Sequence, residues 1–154
     1  MVGKAPNGNW KTSGFARALF RGAGAIHRGL YRKSSGKIGG SMQGIPVALL
    51  TTRGRKSGRM YTWPVCYITD GDDLLLVASA GGSPRNPDWY YNLRANADVT
   101  LQIGKQRHSM VAEPQDGPAR DTYWTRILEQ YPAFAKYQRQ VTRQIPVVLL
   151  RPAS

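Results

Sequence analysis

From residue 45 onward the apolar positions of this chain fall into short runs broken by glycine-bearing turns, a pattern that predicts strands. Strands are read at 46–53, 60–69 and 74–79, with Asp70-Gly71 as a hairpin signal between the last two. A further pair at 98–103 and 107–113 flanks Gly104-Lys105, and a last strand covers 145–150. Helical spacing appears elsewhere. In residues 14–33, Phe15, Leu19, Ile26 and Leu30 fall near one face, and Arg17, Arg21, Arg28 and Arg32 fall mostly on others. Asn86-Pro87 opens a short helix, with the Asn as cap and the Pro in the first turn. Asp116-Gly117-Pro118 opens a second helix, running to about Gln130, and a shorter third follows Pro132.

Six antiparallel strands in a chain this small tend to close on themselves. The expected fold is mainly β: a small β-barrel with peripheral helices. The expected organisation is a flexible tail at 1–13, a basic amphipathic helix at 14–36 and a barrel domain at 37–154.

Composition narrows the function classes. The chain has 154 residues, 41% hydrophobic and 20% charged, which suits one globular domain. Its single cysteine, Cys66, excludes an internal disulfide and points to a reducing compartment, here the cytoplasm. His27 and His108 lie far apart without ligand spacing, so no metal site is expected. No apolar run approaches the ~20 residues of a membrane span, and residues 1–11 lack the apolar core of a secretory signal.

The formal net charge is +13, and it is lopsided. Residues 1–69 hold 12 of the 22 Lys and Arg and none of the nine acids; Asp70 is the first. Such a field draws anions. Nucleic acid, an anionic membrane touched by the N-terminal helix, and a polyanionic small molecule are the classes it admits. The basic residues show no regular interleaving with aromatics, and no nucleic-acid-binding motif appears.

Four segments could carry chemistry. Gly54-Arg55-Lys56-Ser57-Gly58 sits between two strands and offers two cations, a hydroxyl and backbone N–H groups between glycines. It reads either as a solvated hairpin turn or as a phosphate grip. It lacks the spacing of a Walker loop. Ala78-Ser79-Ala80-Gly81-Gly82 ends an apolar strand and reads as a flexible connection or as a loop that a flat ligand can approach. Asp88, Trp89, Tyr90, Tyr91 and Asn92 place three consecutive aromatics on a short helix, where they fill core or meet a ring; Asn92 suits a ligand carbonyl. Tyr131, Phe134 and Tyr137 share a helical face, as core or as site. Paired carboxylates and Ser-His-Asp or Cys-His sets are missing, so a bound cofactor is expected to carry any reaction.

Taken in this order, the four segments resemble the deazaflavin-dependent nitroreductase and quinone reductase family of actinobacteria, split-barrel oxidoreductases that use coenzyme F420. The resemblance runs from Gly39-Gly40 to the C-terminus. It rests on residues 45–52 with 54–58, Asn86-Pro87, Trp89-Tyr90, Asn92-Leu93, Ala95-Asn96, Tyr131-Pro132 and Ile145-Pro146. It implies a six-stranded, FMN-binding-like split β-barrel. Arg55, Lys56 and Ser57 would hold the cofactor phosphate. Tyr61, Thr62, Trp63, Pro64, Val65 and Cys66 would line the ring, with Val77, Ala78, Ser79 and Ala80 opposite and Asp88 to Asn92 completing the pocket. Tyr131, Phe134, Tyr137 and Cys66 would face the substrate, and Tyr131 or Tyr137 would orient the acceptor or donate a proton.

The implied reaction is hydride transfer from reduced F420 to an electron-poor acceptor such as a quinone, an enone or a nitroaromatic, in a monomer or homodimer. Ala80 stands where family nitroreductases often carry a basic residue, and another such residue is missing near Tyr61. Phe134 and Cys66 replace tyrosines of the nitro-drug-reducing members. These departures bear on nitroimidazole reduction rather than on cofactor binding. The coenzyme's phosphodiester and glutamate tail match the positive field. A basic membrane-surface or nucleic-acid-binding protein, or a split barrel holding FMN or haem, is the alternative.

Overall fold

The apolar runs become seven strands in the computed structural model of the protein, which describes residues 41–42 and 44–153. In chain order these are β1 (Ser41–Met42), β2 (Ile45–Arg53), β3 (Met60–Asp70), β4 (Asp73–Val77), β5 (Asp98–Ile103), β6 (Gln106–Gln115) and β7 (Val147–Pro152). Helix α1 (Asp88–Ala95) precedes β5, and α2 (Gly117–Gln130) and α3 (Ala133–Arg139) lie between β6 and β7. A single 3-10 turn covers Ala80–Gly82.

The strands pair antiparallel in the order β2-β3-β4-β7-β6-β5, and β5 returns to β2 through Leu49–Gln102, Leu50–Leu101 and Thr51–Thr100. That last pairing closes a six-stranded barrel, and β1 is a two-residue addition beside β2. The expected mainly β architecture with peripheral helices is the observed one. The expected tail at 1–13 and helix at 14–36 lie outside the described residues. So do eight of the twelve basic residues behind the N-terminal charge. Among the described residues, no helix is long and apolar enough to cross a membrane.

Side chains alternate between two cores, as a strand requires. Ala48, Leu50, Val65, Leu76, Leu101 and Leu150 fill the barrel, closed at one end by Trp89 and Leu93 of α1. Ile68, Leu75, Val77, Val147 and Leu149 point outward and are covered by Ile127 of α2 and by Phe134 and Tyr137 of α3. Polar contacts fasten α2 over the β3–β4 hairpin. Arg126 donates to Asp70 at 2.8 Å, the Tyr123 hydroxyl to Asp73 at 2.9 Å, and Gln130 to the Thr69 carbonyl at 3.0 Å.

Three expectations need correction. The third strand ends at Val77 rather than Ser79, because Ser79 turns into helical dihedrals (φ −73°, ψ −30°). Asn86 does not cap α1. Pro87 occupies the cap position without a side-chain bond, and the Asn86 carboxamide instead accepts from Arg143. The final strand also begins two residues later than expected, and runs on to pair Pro152 with Met110.

Candidate functional site

The basic turn is a closed five-residue loop. Gly54 N–H donates to the Arg59 carbonyl at 2.6 Å and Gly58 N–H to the Gly54 carbonyl at 2.9 Å. The approach at Gly54 is close: a Cβ there would lie 2.7 Å from Tyr61 Cε2 and 2.8 Å from Ser57 Oγ, so both side chains would have to shift. Ser57 Oγ also sits 3.2 Å from the Tyr61 hydroxyl and accepts from Arg59 N–H at 3.2 Å.

Asn92 ties this turn to α1. Its carboxamide is buried, at 3% exposure. Oδ1 accepts from the Arg55 backbone N–H at 3.2 Å and from Arg55 Nη1 at 2.9 Å, and Nδ2 donates to Thr52 Oγ1 at 3.2 Å. Asn92 is therefore spent on the protein's own groups instead of a ligand carbonyl. Arg55 reaches further along α1, to Asp88 Oδ1 at 3.4 Å and over the Tyr91 ring at 5.2 Å. Arg85 lies over the same ring at 5.7 Å. Lys56, Ser57 and Arg59 remain on the exposed side of the turn.

Strand periodicity divides the predicted ring-lining segment. Trp63 and Val65 belong to the barrel interior, and Cys66 packs on the outer cluster beneath α3. Thr62 and Pro64 share the outer side with Cys66 by alternation, and the Thr62 hydroxyl meets that of Thr51 at 2.8 Å. Tyr61 is exposed beside the turn. Trp63 Nε1 is buried without a hydrogen-bond partner among the described residues. Burial pushes the Cys66 thiol up to about 11, so it stays protonated at neutral pH and is a poor nucleophile.

On the opposite edge, Val77 and Ala78 are buried, Ser79 is half-buried and Ala80 is exposed. Trp89 packs in the barrel core, Tyr90 and Tyr91 are half-buried in edge-to-face contact, and Asp88 is exposed. The side chains of Val65, Ala78 and Trp89 are thus walls behind a surface rather than parts of one.

The C-terminal aromatics also separate. Phe134 and Tyr137, 1% and 8% exposed, stack edge-to-face in the outer core, with Tyr131 half-buried at its margin. As open substrate-facing groups, Phe134 and Tyr137 are corrected to core residues, because α3 must bury an apolar face against the barrel.

The site that results is a row. The cationic turn leads through Arg55, Tyr91 and Arg85 to the glycine-rich loop, and the outer side of β3 runs from that turn toward α3. The six residue steps of strand from Met60 to Cys66 span about 20 Å. Two arginines that local pattern did not single out belong to this row. Arg85 joins the loop to Tyr91. Arg143 reaches from the α3–β7 connection to the carbonyls of Ala78, Ser79 and Ser83. Neither lies in a motif, so periodicity offered no signal for them. A shallow cavity of about 340 Å³ elsewhere, between Arg53, Met60, Asp98 and Thr100, contains none of the predicted site residues. No group of three or more His, Cys, Asp or Glu able to hold a metal is found among the described residues.

Comparison with known proteins gives consistent matches. Residues 25–152 match the family model described as F420H(2)-dependent quinone reductase. An F420H(2)-dependent quinone reductase of Mycobacterium tuberculosis is 39% identical over 129 residues, covering 81% of this chain and 87% of the relative. A solved F420-H2 dependent reductase, FDR-A, is 36% identical with a TM-score of 0.62 over 69% of this chain and 94% of its own. A second solved chain, described as a domain-swapped dimer, is 29% identical with a TM-score of 0.62 over 88% and 99%.

Proposed function

From the premise that this chain belongs to the F420H(2)-dependent quinone reductase family, we propose that it is an oxidoreductase that binds the deazaflavin coenzyme F420 along the row just described and reduces a quinone. When bound, the reduced coenzyme supplies the hydride. The protein supplies position, charge and exclusion of water.

The observation that carries the reading is the way the basic turn is held. Four cations, Arg53, Arg55, Lys56 and Arg59, stand within seven residues. Arg55 spends its guanidinium on Asn92 and Asp88, which fixes the loop. Lys56 and Arg59 are left on its open side, and a cationic loop of fixed shape fits a phosphate. The donor set therefore suits an anionic coenzyme: Lys56, the Lys56 and Ser57 backbone and the remaining Arg55 donors would hold the phosphate. Thr62, Pro64 and Cys66 would flank the ring on the outer side of β3, with exposed Tyr61 beside the turn, and Ser79 and Ala80 would close the other edge. Tyr91 would border the phosphate through Arg55 and Arg85.

Tyr131, half-buried at the margin of the outer core, would meet the acceptor and donate a proton to a reduced quinone oxygen. Tyr137 backs it from inside. The same arrangement would admit enones or nitroaromatics only so far as they present a flat electron-poor face to Tyr131. The domain-swapped relative supports a homodimer for this chain as well.

Titration of the protein with oxidised deazaflavin and, separately, with FMN tests the reading. Micromolar binding of the deazaflavin, preferred over FMN, together with turnover of the reduced coenzyme on menadione is the expected result. Absence of deazaflavin binding at those concentrations sinks it.

A further inference from the structure

Among the described residues Arg143 makes four hydrogen bonds, and none is to a carboxylate. Nε donates to the Ser83 carbonyl at 3.0 Å, Nη2 to the Ser79 carbonyl at 2.9 Å, and Nη1 to the Ala78 carbonyl at 3.2 Å and to Asn86 Oδ1. Its own carbonyl accepts from Gln138 Nε2 of α3 at 2.7 Å, and Gln138 Oε1 accepts from Ile145 N–H at 2.9 Å. Burial lowers the guanidinium's pKa from its usual value. A planar fork that gives up hydration to bind three backbone carbonyls and one carboxamide is a cross-link between segments rather than an ion pair.

The segment it grips needs gripping. Ala80, Gly81 and Gly82 follow one another with φ of +48°, +64° and +81°, a left-handed succession that a chain does not hold unaided. The far side of the same loop rests on α3: a Cβ at Gly82 would collide with Gln140 and lie 3.4 Å from Tyr137 Cδ1.

We propose that Arg143 is a positioning residue that locks the 78–86 loop to α3, so that one guanidinium sets both the coenzyme-side edge at Ser79–Ala80 and the acceptor side at Tyr131. This rests on the function proposed above. It predicts that coenzyme and acceptor affinities change together when the clamp is loosened, although the Arg143 bonds named above all go to the protein itself.

The test uses the full chain and two variants, Arg143→Ala and Arg143→Lys, with three readouts. These are amide hydrogen exchange at residues 79–83 and 133–139 in ligand-free protein, the Kd for oxidised deazaflavin, and the KM for menadione. Arg143→Ala should speed exchange in both segments by about tenfold or more and raise Kd and KM together. Lysine, with one ammonium in place of a fork, should fall between alanine and wild type, and it carries the test if the alanine variant does not fold. A merely structural role would lower the folded fraction and kcat while leaving Kd and KM of the folded protein unchanged. Unchanged exchange overturns the clamp, and so does faster exchange with unchanged Kd and KM. Wild-type protein that binds no deazaflavin overturns the proposed function instead, and the exchange data then decide the clamp alone.

Discussion

Asn92→Ala isolates the contact on which the basic turn depends. The carboxamide makes three bonds: two from Arg55, at 3.2 and 2.9 Å, and one to Thr52 at 3.2 Å. Thr52 is fully buried, and alanine would strand both its hydroxyl and the Arg55 backbone N–H. Each stranded group costs about 1–3 kcal/mol. The Arg55 guanidinium is partly open to water, so its bond is largely replaced by solvent and adds little. The sum is about 2–6 kcal/mol, which lowers the melting temperature of a chain this size by about 10 °C. Calorimetry reads that shift. Because the turn loses its hold on α1, deazaflavin affinity should fall by about tenfold or more in the same variant, read by titration below its melting range. Asn92→Asp keeps an acceptor for both Arg55 bonds and lets the Thr52 hydroxyl turn to donate, so it should lose less than half as much. A melting temperature within 2 °C of wild type for Asn92→Ala, a margin of about 0.5 kcal/mol, would refute the staple. A large thermal loss with unchanged affinity would keep the staple and remove the turn from the binding site.

The remaining predictions are narrower. Lys56→Ala should weaken deazaflavin binding, increasingly so at low salt, with little change in melting temperature, since the side chain is exposed; equal affinity would return the turn to an ordinary hairpin. Cys66, pushed up to about 11 by burial, should react slowly with iodoacetamide at neutral pH and speed up only in strongly alkaline solution, and rapid labelling at neutral pH would contradict its placement. Gly82→Ala should destabilise more than Gly81→Ala, because both have left-handed φ but only Gly82 also meets Gln140; thermal denaturation of the pair checks this. The Tyr123 hydroxyl donates to Asp73, which raises its pKa above the tyrosine value. The bond therefore stabilises below the ordinary value of about 10 and is lost as pH climbs through the raised folded value, so wild type and Tyr123→Phe should differ near neutrality and converge in alkali.

Local pattern was enough for the barrel because each strand carries its own signal. The β2 run Ile45 to Thr52 and the Asp70-Gly71 turn could be placed without knowledge of their partners. The division of β3 was also within reach: a period of two puts Trp63 and Val65 on one side and Thr62, Pro64 and Cys66 on the other. Reading that segment as one continuous lining ignored the alternation. Asn86 was a different kind of miss. Asn-Pro-Asp before an aromatic run is a sound capping signal, but Arg143, 57 residues away, takes the carboxamide. Asn92 stands in a motif, but nothing local shows that it holds Arg55 and Thr52, and Arg143 carries no local signal, since each acts through partners that only the closed barrel brings near.

The same distribution of partners explains how so basic a chain keeps a defined site. Many of the described arginines are already engaged. Arg120 donates to the Ile145 carbonyl and lies over Trp124 at 4.5 Å. Arg126 and Arg151 pair with Asp70 and Glu113, and Arg143 binds carbonyls. The turn departs from that habit in one respect. Among the described residues Arg55 alone of its cations is drawn to a carboxylate, Asp88, and that pair is partly open to water and weak. The buried hold comes from the neutral Asn92. A neutral staple fixes the loop without cancelling its charge, whereas a buried carboxylate at 92 would subtract a unit of positive potential where a phosphate is proposed to bind. Asn92→Asp, thermally mild, should therefore weaken deazaflavin binding through charge alone, with the loss shrinking as salt rises. If its affinity equals that of wild type at low salt, the potential at the turn is not what holds the coenzyme.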